Sequence, residues 1–194
     1  MPAPKILVFA GSLRRDSFNK KLARLAADAA RAAGGDVTLV DLRDFPMPIY
    51  DGDIEAAEGV PADAQRFKEL MRAHDALFIS APEYNSSISG VLKNTIDWAS
   101  RTEKGETPLA CFEHKVAALV AASPGLLGGL RGLVTVRSIL SNIRVLVLPE
   151  QLTVGKANEA FDAEGRLVDP KQQAALEKIA RRLVAVTASL PRVA

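Results

Sequence analysis

The chain of 194 residues lacks the sequence features of disulfide-bonded, metal-binding and membrane-spanning proteins. Its single cysteine, Cys111, cannot form a disulfide within the chain and is compatible with a reducing compartment. Cys111 and the two histidines, His74 and His114, do not have the spacing of a metal site, so we expect no metal. No apolar run approaches the roughly 20 residues that cross a bilayer, and residues 1–12 do not have the order of a signal peptide. We therefore expect a cytoplasmic protein with no membrane partner.

An excess of charge of one sign is also missing. The chain mixes 25 lysines and arginines with 23 aspartates and glutamates, for a formal net charge of +2. No basic patch and no nucleic-acid-binding signature is visible, so we expect no nucleic-acid partner. The patterns of a nucleophile elbow and of a P-loop are absent as well. A hydrophobic content of 48%, without repeats or linkers, indicates a globular chain with a single domain over residues 1–194.

Short apolar segments alternate with amphipathic ones along the chain, which predicts a doubly wound α/β fold. The predicted sheet has five parallel strands with helices on both faces, and residues 43–60 are predicted to be a long surface excursion. Asp169, Pro170 and Gln172 predict a capping box at the start of the last helix. The predicted strands are 5–10, 37–42, 76–81, 116–122 and 145–148, and the predicted helices are 22–33, 62–73, 88–99, 130–141 and a last one from 170.

The first predicted strand runs into a polar and basic turn. Gly11 allows a tight turn, and Ser12, Arg14, Ser17 and Asn19 then surround the predicted start of a helix. Free N–H groups at a helix N-terminus attract anions, so this combination favours a phosphate monoester. Such a turn on its own is more often a set of helix caps beside a solvated charge. Ligands of parallel sheets bind beyond the carboxyl ends of the strands, so the turns after the first, third and fourth strands are the candidate sites.

Two long motifs together are more specific than either of them alone. GSLRRDSFN at 11–19, with PEYNSSISGVLKNTIDW at 82–98, resembles the NADPH-dependent FMN reductase family, which has a flavodoxin-like fold. The chain is most similar to the bacterial quinone- and chromate-reductase branch of that family. SPGLLGG at 123–129 matches a glycine-rich turn that the family carries beside its flavin. Judged from the residues alone, there is an alternative to a ligand site at this segment: Pro82 merely ends the strand, and Tyr84 packs on a neighbouring loop. Ile96 and Trp98 are then expected to belong to the core or to an interface.

The resemblance implies an FMN site without a catalytic side chain, because FMN itself carries the hydride chemistry. Glu83 and Asp97 are therefore given no catalytic role, and both histidines are expected to be structural or solvent-exposed. Relatives often have a bulky aromatic residue at the position of Ser86, so the smaller serine would open the pocket. The implied FMN phosphate and ribityl ligands are Ser12, Arg14, Ser17, Phe18 and Asn19. The implied ring-lining residues are Pro82, Glu83, Tyr84 and Asn85, with Ser86 close by, while Ser123 and Gly125 would border both ring and ribityl chain.

The resemblance further implies an enzyme that passes a hydride from NADPH or NADH to FMN and then reduces a quinone, chromate or azo compound in ping-pong order. Arg15 and Arg101 are candidates for the 2′-phosphate of NADPH. Two alternatives stay open: a flavin electron carrier or redox sensor, and a reductase that supplies free reduced FMN to a monooxygenase. The net charge argues against a carrier with an acidic docking face. A homodimer or homotetramer is also implied, with apolar residues around the predicted helix 88–99 as a subunit contact.

Overall fold

A computed structural model describes residues 2–190 of the chain. Five strands form one sheet: β1 Lys5–Ala10, β2 Asp36–Val40, β3 Ala76–Ser80, β6 Val116–Ala122 and β7 Leu146–Val154. Their order is β2-β1-β3-β6-β7, and every neighbouring pair is parallel. This is the strand order of flavodoxin-like sheets, which confirms the predicted fold. Two further strands, β4 Glu83–Tyr84 and β5 Ser87–Ile88, form a separate antiparallel hairpin that the sequence did not predict.

Helices cover both faces of the sheet. Successive side chains of a strand point to opposite faces, so both faces carry apolar residues that the helices bury. Ile6 and Val8 of β1 face one side, with α1 Phe18–Ala32 and α6 Pro170–Ser189. Leu7 and Phe9 face the other side, with α3 Ala62–Ala73, α4 Gly90–Ala99 and α5 Leu130–Asn142. Strands β1, β3 and β6 are buried almost throughout, which explains their continuous apolar runs.

The predicted end of β2 is wrong, and the surface segment that follows it has more regular structure than predicted. Strand β2 ends at Val40, because the Asp41 carboxylate accepts a hydrogen bond from Arg43 N at 3.0 Å and starts a short 3₁₀ helix over Leu42–Asp44. The predicted surface excursion at 43–60 contains the helix α2 Gly52–Glu58 and places Phe45 in the core.

The last strand is longer than predicted. β7 continues past Pro149, which is tolerated because β7 is an edge strand and the register shifts between Ala117 and Leu119 of its neighbour. The extension to Val154 brings the chain back to the carboxyl edge of the sheet, where residues 154–157 meet the turn after β6.

The predicted start of α6 is correct, but its capping box is wrong. Asp169 caps the helix by accepting from Lys171 N at 2.8 Å, and Pro170 occupies the first turn. The Gln172 side chain does not turn back: its buried Oε1 has no hydrogen-bond partner among residues 2–190. Asp169 alone therefore caps this helix through its side chain.

None of the helices between residues 2 and 190 has both the length and the apolar character required to cross a membrane.

Candidate functional site

Three chain segments meet at the carboxyl edge of the sheet, and we name them by position. The first turn is residues 11–17 after β1, the hairpin segment is residues 81–89 after β3, and the third turn is residues 123–129 after β6. Gly11 N donates to Ser80 O at 2.9 Å, and Ser89 Oγ donates to Gly11 O at 2.6 Å, so the first turn is tied to the end of β3 and to the last residue of the hairpin segment. The chain order reverses between β1 and β3, which is where open α/β sheets bind ligands.

The N-terminus of α1 presents hydrogen-bond donors without acceptors. Ser17 occupies the N-cap position with an extended backbone (φ −76°, ψ 128°), yet its buried hydroxyl makes no capping bond. The backbone N–H groups of Phe18 and Asn19 likewise find no acceptor within residues 2–190. Ser12 is buried next to them, and its Oγ accepts from Arg14 N at 3.3 Å. These groups fit a phosphate, which would satisfy the unused donors.

Some of the candidate cationic side chains bind other groups of the protein, and others remain free to bind an anionic ligand. Lys20 of α1 is bound to the Asp41 carboxylate at 2.6 Å, so it is not available to a ligand. Arg101 donates to Tyr50 Oη, Ser100 Oγ and Asp97 O, and its contact with the 2′-phosphate of NADPH stays a prediction. Arg14 and Arg15 are exposed, and neither guanidinium forms an ion pair or hydrogen bond within the part of the chain that the structure describes.

The side chains of Phe18 and Asn19 do not face the first turn. The Phe18 ring stacks on Phe161, with centroids 6.0 Å apart and an interplanar angle of 8°. The Asn19 amide bonds to Ala122 and Ser80 at the ends of β6 and β3. These hydrogen bonds give the Asn19 amide a role within the sheet, and its expected contact with the phosphate stays a prediction. Both residues retain their backbone N–H groups for this purpose.

The predicted ring-lining residues lie in the hairpin segment, where a tight turn sets their backbone conformation. Asn85 and Ser86 have φ values of 50° and 64° and connect the paired residues Tyr84 and Ser87, which makes a two-residue turn of type I′ geometry. Pro82 is buried, whereas Tyr84 is 51% exposed and Asn85 and Ser86 are exposed. The tip of the hairpin thus combines a fixed main chain with an open surface.

Glu83 anchors this hairpin to α5. Its side chain is 9% exposed and accepts hydrogen bonds from Arg131 N at 2.9 Å, Arg131 Nε at 2.8 Å and Gly132 N at 3.2 Å. Burial would raise the pKa of Glu83, but the bonds from Gly132 and Arg131 outweigh it and lower the pKa below its ordinary value. A Cβ on Gly132 would lie 3.3 Å from Glu83 Cα, so the glycine permits this close approach. The carboxylate therefore acts as a helix cap and leaves only the Glu83 backbone for a ligand.

The third turn is shaped by glycines and by the chain after β7. Ser123 N donates to Val154 O at 3.0 Å, and Ser123 Oγ accepts from Gly125 N at 3.3 Å. A Cβ on Gly155 would lie 2.5 Å from Leu126 O, which no side chain would allow. The sequence did not identify Gly155, because the predicted last strand ended at residue 148. The apolar residues at 152 and 154 followed by a glycine were the signal available.

Exposed apolar residues adjoin the third turn, and not the helix on which a subunit contact was expected. Leu92, Ile96 and Trp98 of α4 are buried within the chain, and Trp98 packs edge-on against Tyr50. The prediction that this helix carries surplus apolar surface is wrong, because residues 47–64 cover Trp98. The exposed apolar residues at and after the third turn are Leu126 (82%), Leu127 (50%), Leu130 (39%) and Val134 (62%).

The two histidines lie away from these turns, as predicted. His74 precedes β3 at the amino ends of the strands, opposite the three turns. Its Nδ1 lies 2.6 Å from Leu70 O and its Nε2 lies 2.8 Å from Thr38 Oγ1. His114 lies two residues before β6, at the same edge. His74 thus ties α3 to β2 and has a structural position.

The comparisons with known proteins agree with this geometry. Residues 4–159 match the family model of NADPH-dependent FMN reductases. An NAD(P)H-dependent FMN reductase of Pseudomonas aeruginosa is 38% identical over 175 residues, covering 90% of each chain. A quinone reductase of Escherichia coli K12 is 33% identical over 191 residues, covering 97% of this chain and 96% of its own. The solved structure of a flavoenzyme NAD(P)H:(acceptor) oxidoreductase from Paracoccus denitrificans superposes with a TM-score of 0.78 at 28% identity, covering 95% of this chain and 97% of that one.

Proposed function

Because the chain belongs to the NADPH-dependent FMN reductase family and is an FMN- and NAD(P)H-dependent oxidoreductase, we propose that it reduces a quinone at the expense of NAD(P)H. The net reaction consumes NAD(P)H, one proton and a quinone and releases NAD(P)⁺ and the quinol. The family relation makes the enzyme reading preferable to an electron carrier or redox sensor.

The observation that carries the proposal is the N-terminus of α1 with its unused donors. Within residues 2–190, the hydroxyl of Ser17 and the N–H groups of Phe18 and Asn19 have no partners, and Arg14 is unpaired beside them. In this proposal these groups and Ser12 bind the FMN phosphate. Ser123 and Gly125 would hold the ribityl chain, and the main chain of Pro82, Glu83, Tyr84, Asn85 and Ser86 would hold the ring.

The residues of the site bind and orient, whereas bound FMN supplies the hydride-accepting chemistry. Glu83 is the one carboxylate within the hairpin segment, and its oxygens are held by Arg131 and Gly132. It is therefore not free to transfer protons. We propose that the one proton that the reaction consumes comes from water at the exposed hairpin tip, where Tyr84, Asn85 and Ser86 are open to solvent. The hydride of NAD(P)H accounts for the other hydrogen of the quinol.

The open tip also supports a ping-pong order, in which NAD(P)H and the acceptor use the same surface in turn. Tyr84, which is 51% exposed, gives this tip an aromatic surface that favours an apolar acceptor. A quinone matches that surface better than chromate, which is a small anion, and an aromatic azo compound is the next best match.

An anaerobic absorbance titration tests this function. The FMN-loaded protein is expected to lose its oxidised flavin band on addition of one equivalent of NADPH and to regain it on addition of a quinone. Initial rates at several fixed quinone concentrations are expected to give parallel double-reciprocal lines. A protein that binds no flavin, or a flavin that NAD(P)H leaves oxidised, would contradict the proposal.

Reduction of free FMN is the second candidate, favoured by the name of the Pseudomonas aeruginosa relative. It requires FMN to leave the site within the turnover time. Stopped-flow dilution of the FMN-loaded protein distinguishes the two: slow FMN release supports quinone reduction at a resident cofactor, and release as fast as turnover supports FMN as the product.

We further propose that the chain forms a homodimer or homotetramer through the surface of Leu126, Leu127, Leu130 and Val134. An exposed apolar cluster of this kind is typical of a protein contact. Sedimentation at micromolar concentration tests it, and a monomer would contradict it. A cytoplasmic location is compatible with the single, buried thiol of Cys111.

A further inference from the structure

Three hydrogen bonds hold the Asn19 side chain within the sheet. Asn19 is 3% exposed. Its Nδ2 donates to Ala122 O at 2.8 Å, and its Oδ1 accepts from both Ala122 N and Ser80 Oγ at 3.0 Å. The amide thus bonds to both the N–H and the C=O of one residue of β6, Ala122, as a neighbouring strand would.

The strand ends explain why an amide is needed here. β3 pairs with β6 up to Ser80 and Val120, and Ala81 N donates to Val120 O at 2.8 Å. The chain then leaves the sheet at Pro82, whereas β6 continues to Ala122 in pairing with β7. The N–H and C=O of Ala122 that face β3 therefore have no strand partner. The Asn19 amide takes the place of the missing peptide group.

We propose that Asn19 is a positioning residue that sets the three flavin-binding segments at fixed distances from one another. Asn19 lies two residues after the first turn, Ser80 directly precedes the hairpin segment, and Ala122 directly precedes the third turn. One buried amide thus connects the segment assigned to the phosphate with those assigned to the ring and the ribityl chain. The inference rests on the proposed FMN site, but assigns Asn19 a role other than that of phosphate ligand.

Comparing FMN with riboflavin separates these roles, because riboflavin lacks the phosphate. If Asn19 sets the spacing of the segments, Asn19→Ala weakens the binding of both flavins by a similar factor, on the order of ten- to a hundredfold. A phosphate ligand behaves differently: Arg14→Ala is expected to weaken FMN and leave riboflavin unchanged. Dissociation constants are measured by flavin fluorescence quenching, at a temperature where circular dichroism shows each variant to be folded.

The matched control is Asn94→Ala. Asn94 also makes one donated and one accepted bond to main chain, with Nδ2 to Pro48 O and Oδ1 from Tyr50 N, both at 2.8 Å. These bonds hold residues 48–50 and do not touch the three segments. Asn94→Ala is expected to lower the unfolding temperature and leave both flavin affinities unchanged.

Two results would overturn the inference. Loss of FMN affinity alone would make Asn19 a phosphate ligand, and unchanged affinity for both flavins with a lower unfolding temperature would make its role merely structural, as for Asn94. If Asn19→Ala does not fold, Ser80→Ala decides by the same criterion, since it removes one of the three bonds and is expected to weaken both flavins by a smaller common factor. An unmodified protein that binds neither flavin would instead refute the proposed function.

Discussion

The carboxylate of Glu83 allows a quantitative test of how the hairpin is held. We expect Glu83→Ala to destabilise the protein, because it leaves the N–H groups at the start of α5 without their acceptor. Hydrogen bonds to a charged group contribute about 1.5–3 kcal/mol each, and three that share one carboxylate are not additive, so we expect a loss of about 2–4 kcal/mol. For a chain of this length that corresponds to a decrease in Tm of roughly 4–16 °C.

The isosteric variant separates charge from shape. Glu83→Gln retains one acceptor oxygen and loses the charge, so we expect about half of the effect, since charge-assisted bonds are about twice as strong as neutral ones. Thermal unfolding of the apoprotein, followed by circular dichroism at pH 7, measures both variants. Glu113→Gln is the matched control: its carboxylate pairs with Arg144 at 2.9 Å on the surface, where an ion pair contributes about 0–1 kcal/mol.

The pH dependence follows from the lowered pKa of Glu83. In the unfolded chain the group titrates near its ordinary value of 4.5, and in the folded chain it titrates at lower pH. Its contribution to stability is therefore complete above the unfolded pKa and is lost as the pH falls through the folded pKa. The Tm difference between the wild type and Glu83→Gln should decrease over that range. A Glu83→Gln variant within about 1 °C of the wild type at pH 7 would refute the reasoning.

Three further predictions concern single residues. Arg14→Ala should weaken FMN binding by about 1.5–3 kcal/mol, the range for a charged hydrogen bond, and equal affinity in a fluorescence titration would remove Arg14 from the site. His74→Ala should lower the Tm while turnover stays close to the wild-type rate, because His74 lies at the opposite edge of the sheet; a large loss of kcat in the steady-state assay would indicate an acid–base role. Ser86→Gly should raise the Tm by up to a few degrees, since φ is 64° at Ser86 and glycine adopts that conformation without strain; an unchanged or lower Tm would contradict this.

The sequence by itself determined the fold and the place of the site. Alternating apolar and amphipathic segments predicted five parallel strands, and parallel strands place their following turns at one edge of the sheet. The polar residues after β1 and β3 could therefore be recognised as one candidate site before any contact was known. These conclusions depend on local periodicity and on motif spacing, which a linear chain displays directly.

The tertiary structure decided which atoms of those residues remain free for a ligand. Asn19 reaches Ala122, 103 positions away along the chain, and Glu83 reaches Arg131, 48 positions away. Such pairings depend on strand register, and on β3 leaving the sheet while β6 continues, which no local pattern encodes. The same holds for Trp98, whose apolar ring suggested a subunit contact until residues 47–64 were seen to cover it. Residue types thus indicated the site, whereas long-range packing divided its residues into those that can bind and those that support them.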